Sequence, residues 1–164
     1  MPDEGILGPN LQAQIALMKY EDRLPHRKIA RTLNRQYRLH LTPATLLDVT
    51  RRVADKLQAV YNAIKEEIRK SRQAVADETG LKVQGKNFWM WVFVSLKSVL
   101  FLIRKSRGQE PIKEALGERY EGKVTSDGWA PYNQVVKIIQ RCWAHLLREA
   151  KWHAEKYEEQ ARIV

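Results

Sequence analysis

The stretch KNFWMWVFVS, residues 86–95, is almost unbroken in its apolar character, and it narrows the possible folds more than any other segment of the chain. In an extended strand Phe88, Met90, Val92 and Val94 project to one side, and Trp89, Trp91 and Phe93 to the other. A strand apolar on both sides predicts burial on both faces, at the centre of a sheet. Its flanks supply the partners. QAVADETGLKV (73–83) precedes it across a break at Gly85-Lys86, and SVLFLIRKSRG (98–108) follows it across another near Lys97. The spacing predicts three strands in hairpin connection, with the tryptophans as core.

Beyond them, EPIKEALGERY has the spacing of a short helix ending near Gly117, and EGKVTSDGWAPY reads as a fourth strand. A strand reached through a helix pairs parallel to a neighbour. VVKIIQRCW suggests a fifth strand, and AHLLREAKWHAEKYEEQARIV a closing amphipathic helix with Leu146, Leu147, Ala150 and Tyr157 turned inward. The order β-β-β-α-β-(α)-β-α is the opening of a ribonuclease H-like fold, so an α+β or α/β class with a mixed sheet is expected for residues 73–164.

Residues 1–72 read as helical. Leu11, Ile15 and Met18 recur at helical spacing. RLPHRKIARTLNRQYRL then places Pro25 in a first turn, with Ile29, Leu33 and Tyr37 on one face. After a break, Thr42 is a good N-cap and Pro43 a good first helical residue; Leu46, Val49, Val53, Leu57, Val60, Tyr61 and Ile64 carry one long helix to about Ser71. Residues 26–72 hold 12 Lys/Arg against 4 Asp/Glu, most of the net +10 of the whole chain. A basic block of this kind fits nucleic-acid phosphates. Two short helices feeding a third resemble a helix-turn-helix, in which Arg27, Lys28, Arg31, Arg35, Arg51 and Arg52 would hold double-stranded DNA. A small bundle with solvated basic faces accounts for the same pattern, because the turn lacks the usual glycine. Arg104, Lys105 and Arg107 either touch DNA or solvate a strand end.

The single cysteine excludes an internal disulfide framework, and there is neither a signal pattern nor an apolar run of membrane-spanning length. A cytoplasmic, nucleoid-associated protein is expected.

Two aspartates carry the candidate chemistry. In the expected sheet the first strand is central and the fourth pairs beside it, which brings Asp77 and Asp127 together although they are 50 positions apart. Carboxylates at adjacent strand ends repel unless a divalent cation lies between them, and hard oxygen ligands suit Mg²⁺ or Mn²⁺. The alternative is an Asx-type turn at Asp127-Gly128 and a solvated strand end at Asp77-Glu78.

QIALMKYEDRLPHRKIARTLNRQYRLHLTPATLLDVTRRVADKL, VADETGLKVQGKNFWMWVF, TSDGWAPY and QRCWAHLLREAK resemble, in order, consecutive blocks of the transposases of insertion sequence 66, over roughly residues 10–160. The resemblance implies a ribonuclease H-like core with an Asp-Asp-Glu triad, in which Asp77 of DETG and Asp127 of SDGW match the two catalytic, metal-binding aspartates. It also implies cleavage at transposon ends, attack of the freed 3′-hydroxyl on target DNA, and either self-association or assembly with further transposase segments. CWAH resembles a Cys-x-x-His signature in which Cys142 and His145 support the active site; zinc is the less favoured use, since a second ligand pair is missing. The family's third acid, a glutamate on a later helix, has no match among Glu149, Glu155, Glu158 and Glu159, and a cysteine-rich N-terminal segment is also absent. The chain therefore reads as the middle of a transposase. Three functions stay open: a transposase fragment, a DNA-binding product without turnover, or a ribonuclease H-like nuclease with a local glutamate. A sheet of this extent leaves one apolar face uncovered.

Overall fold

The computed structural model describes residues 7–157. The chain divides into two compact units, Met1–Val60 and Tyr61–Val164.

The first unit is built from α1 (Pro9–Tyr20), α2 (His26–Tyr37) and α3 (Pro43–Lys56). Ile15, Ile29, Leu33, Leu46 and Val49 are completely buried in its core, with Leu11, Met18 and Val53 packed against them. Tyr37, expected on the same face of α2, is instead 54% exposed. The start of α3 follows the expected chemistry. Thr42 Oγ1 accepts the Thr45 N–H at 3.1 Å, and Pro43 stands where no N–H is needed. The α2–α3 connection manages without glycine. Arg38 takes the left-handed conformation (φ 52°), and Asn34 fixes the chain beyond it by donating to the Leu41 carbonyl at 2.9 Å and accepting the Leu41 N–H at 2.7 Å.

The helix expected to run unbroken to Ser71 stops at Lys56 and restarts as α4 (Gln58–Lys70). Its apolar stripe serves two different cores, which explains the break. Leu46 and Val49 belong to the helical core, Tyr61, Ile64 and Ile68 to that of the sheet, and Leu57 and Val60 between them are more than half exposed.

The second unit contains β1 (Gln73–Val83), β2 (Lys86–Val94), β3 (Val99–Arg104), α5 (Glu110–Leu116), β4 (Tyr120–Ser126), a 3-10 turn (Ala130–Gln134), β5 (Val136–Arg141) and α6 (Trp143–Lys156). The five strands run β3-β2-β1-β4-β5. Pairing is antiparallel among the first three and parallel for β1–β4 and β4–β5. Gln84 and Gly85, both at positive φ, close the β1–β2 hairpin as a two-residue turn whose twist matches that of the strands. The expected strand order, with β1 central and β4 beside it, is the observed one.

One face of this sheet is the core. Ala74, Ala76, Trp91, Phe93, Leu100, Leu102 and Val124 pack with Ile68 of α4, Ile112, Ala115 and Leu116 of α5, and Tyr132. The small alanines of β1 make room for the large rings of β2 beside them. The opposite face is only half covered, which corrects the expectation that β2 is buried on both sides. Phe88, Met90, Val92 and Val94 are partly accessible, and Val75, Val99, Phe101, Ile103 and Ile138 on the same face are exposed. The expected inward face of α6 is also corrected. No residue of that helix is buried: Leu146 is half-buried, Leu147 and Ala150 are exposed, and so is Tyr157 just beyond its end. Glu158 and Glu159 lie outside the described residues.

Candidate active site

The β1–β4 register runs Gln73 to Lys123, Ala74 to Val124 and Val75 to Thr125. Asp77, within β1, and Asp127, the first residue past β4, each stand two residues beyond the last pair, so the register brings them side by side where the parallel ladder ends. Asp77 is exposed and Asp127 half-buried. Each carboxylate has one oxygen anchored by the backbone. Asp77 Oδ1 accepts the Glu78 N–H at 3.0 Å, and Asp127 Oδ1 accepts the Trp129 N–H at 2.8 Å. The second contact is an Asx turn, and it holds the side chain of Asp127 still while leaving Oδ2 unengaged. Gly128 makes that turn possible. Its φ is 88°, and a Cβ there would come within 2.6 Å of Arg141 Nε.

Behind the aspartates sits a carboxylate that the sequence reading did not single out. Glu78 points to the opposite face from Asp77, the face of Ala74 and Ala76, and its side chain is 1% exposed. Arg107 donates to Glu78 Oε1 from Nε at 3.0 Å and from a terminal nitrogen at 2.9 Å, and the buried Tyr132 hydroxyl reaches Oε2 at 3.5 Å. Burial pushes the Glu78 carboxyl above its ordinary value; Arg107 pulls it back, and the charges of Asp127 and Asp77 push it up again. Burial likewise raises the Tyr132 phenol, reinforced by Glu78, Asp127 and Asp77. Both buried groups thus sense both aspartates. A signal for Glu78 was present in the sequence: a glutamate in the core phase of a strand needs a buried partner.

The raised Glu78 value has a definite sign. A carboxyl raised on folding contributes stability that is complete below its unfolded pKa and is lost as pH climbs through the folded one. Urea midpoints of the chain should therefore fall, relative to those of Glu78→Gln, as pH rises from about 4, the ordinary glutamate value. Parallel pH profiles would sink this assignment.

The remaining expected residues fall in three places. Arg27, Lys28, Arg31 and Arg35 all lie exposed on α2, opposite Ile29, Ala30 and Leu33. Arg51 is exposed on α3 and loosely paired with Asp48 at 3.6 Å, whereas Arg52 is half-buried with an Nε that has no hydrogen-bond partner. Cys142 occupies the N-cap position of α6 without a side-chain capping bond, and its N–H donates at 2.7 Å to the carbonyl of Ser126, the residue before Asp127. The neighbouring His145 side chain and the amides of His145 and Ala144 hold the Cys142 thiol below its usual range. Arg104 and Arg107 are both committed, the first to Glu114 and the second to Glu78.

Among the described residues no group of three or more His, Cys, Asp or Glu side chains is placed to hold a metal ion. Asp77 and Asp127 form a pair, which suits a cation that keeps several of its waters, as Mg²⁺ does.

A five-stranded mixed sheet in this order, packed on one side by helices, is the layout of a ribonuclease H-like domain. Here it follows a basic helical unit. The chain belongs to the family described as Transposase IS66 family, whose model matches residues 4–163. No curated protein matches the sequence significantly. A match among solved structures is a chain of the simian T-cell lymphotropic virus intasome in complex with PP2A regulatory subunit B56 gamma, with 12% identity and a TM-score of 0.34. It takes in 92% of this chain, which spans 63% of that one. No described helix is long and apolar enough to cross a membrane.

Proposed function

We propose that this chain supplies the two-aspartate part of a DNA transposase active site together with a DNA-binding helical unit. The observation that carries the proposal is the β1–β4 register, whose last pair lies two residues before both Asp77 and Asp127. In this reading the unengaged oxygens of the two carboxylates hold Mg²⁺ or Mn²⁺. Bound there, the cation supplies activation of a water or a 3′-hydroxyl and stabilisation of the leaving oxygen of a phosphodiester. The Trp129 N–H keeps Asp127 in one rotamer, so little reorganisation is needed when the charge arrives. Arg27, Arg31 and Arg35, one helical turn apart on α2, contact phosphates, which orients a duplex without reading its bases. Transposon ends and target DNA are the proposed partners.

A second reading, DNA binding without turnover, is favoured because no third His, Cys, Asp or Glu joins the two aspartates among the described residues. One assay separates the two. The chain is titrated with duplex DNA at several salt concentrations and then incubated with Mn²⁺ and supercoiled plasmid. Binding should weaken steeply with salt, and replacing Arg27, Arg31 and Arg35 by Ala should flatten the log–log slope by about 2.7, or 0.9 for each phosphate lost. An unchanged slope would return α2 to a solvated bundle face. Nicking that vanishes in Asp77→Asn supports the catalytic reading; binding with no nicking supports the second.

A further inference from the structure

The guanidinium of Arg107 is held between two indoles. Its Cζ lies 4.5 Å from the centre of the Trp89 ring and 4.2 Å from that of Trp129. Its nitrogens bond Glu78, and its own carbonyl accepts the Trp129 indole N–H at 3.2 Å. Trp129 in turn donates its backbone N–H to Asp127. These contacts form a continuous path from the buried face of β1, through the loop after β3, to the turn that carries Asp127.

The loop supplying Arg107 is itself fastened. Trp91 Nε1 donates to the Ser106 carbonyl at 3.3 Å, and Ser106 Oγ bridges the Gly108 N–H at 2.9 Å and Glu110 at 2.8 Å. Arginine suits the position because a planar, weakly hydrated cation stacks on both rings while its edge meets a carboxylate; a lysine ammonium cannot do both.

We propose that Arg107 is a positioning residue whose stacked, Glu78-bonded guanidinium fixes Trp129 and through it the turn that presents Asp127. The proposal rests on the metal reading above only for its consequence at Asp127, and the clamp itself is measurable without metal.

The test follows hydrogen exchange of the Trp129 indole and backbone N–H groups by NMR in the full chain, with the Ala76 and Val124 amides as internal controls for the sheet. Arg107→Ala and Arg107→Lys should each speed Trp129 exchange at least tenfold and leave the controls unchanged. Unchanged Trp129 exchange in both variants overturns the proposal. A Glu78→Gln/Arg107→Ala double variant, which leaves no buried carboxylate unpaired, is read if the single alanine variant loses the sheet. In the double variant Trp129 should stay loosened, and restored protection would mean that Arg107 only neutralises Glu78, which also overturns the proposal. Mn²⁺ affinity, followed by electron paramagnetic resonance, should drop at least tenfold in Arg107→Lys. Undiminished Mn²⁺ binding despite a loosened Trp129 would overturn the link to Asp127. A parent chain that binds no Mn²⁺, with Trp129 exchange responding as expected, would refute the metal reading and leave the clamp standing.

Discussion

Mn²⁺ binding should fall by at least roughly 100-fold when either Asp127 or Asp77 is replaced by asparagine, since losing an outer-shell partner alone commonly costs 10–100-fold. Asparagine is the informative substitution here. Its carbonyl oxygen can still accept the Trp129 N–H at position 127 and the Glu78 N–H at position 77, so the turn and the strand keep their local bonds. Only the charge is lost. With two carboxylates and no third His, Cys, Asp or Glu grouped with them among the described residues, each supplies half of the charge that offsets a divalent ion. Titration of the parent chain and both variants, with unbound Mn²⁺ followed by electron paramagnetic resonance, decides the matter. Equal affinity in all three would reduce Asp127 to a turn residue and Asp77 to the polar surface of a strand. A fall in both variants with unchanged urea midpoints would separate metal binding from stability.

What could be read from the sequence followed the range of the forces involved. Period-two alternation is local, and it put Trp91 and Phe93 on one face of β2 without any knowledge of their partners, but it could not say that this face alone would be fully buried. The cap at Thr42-Pro43 is likewise a matter of neighbouring residues. The Asp77–Asp127 juxtaposition needed one further step, the parallel return of a strand after a helix, and the resemblance to a known family chose the same residues. The failures are where local pattern and tertiary destination part. Apolar residues continue at helical spacing across Leu57, but those before it and those after it enter different cores. Leu147 and Ala150 have the spacing of an inward face on α6, and spacing cannot say whether anything lies opposite. The Glu78–Arg107 pair joins β1 to a loop two strands later, and only the assembled sheet brings it together.

Trp91→Ala should cost about 3–5 kcal/mol of sheet stability, the range for large aromatic truncations in a core. Trp91 is completely buried, its ring stacks parallel to Phe93 at 6.3 Å with a 7° tilt, and it meets Tyr132 edge-on at 6.3 Å. The backbone around it is tied into β1 on one side and β3 on the other, so the space left by the indole cannot readily close. Phenylalanine would refill much of that space but would leave the Ser106 carbonyl without its indole donor. The two variants therefore report different things. Urea unfolding should show a large loss for alanine and a smaller one for phenylalanine. In the phenylalanine variant, exchange at Trp129 should quicken as well, because Ser106 anchors the loop from which Arg107 reaches Glu78. If alanine costs less than about 1 kcal/mol, below the range for such truncations, the core does not depend on Trp91. If phenylalanine leaves Trp129 exchange untouched, the aromatic core and the Asp127 turn are mechanically independent. A large alanine effect together with a loosened Trp129 in the phenylalanine variant would mean that the ring burying the sheet also braces the loop behind the two aspartates.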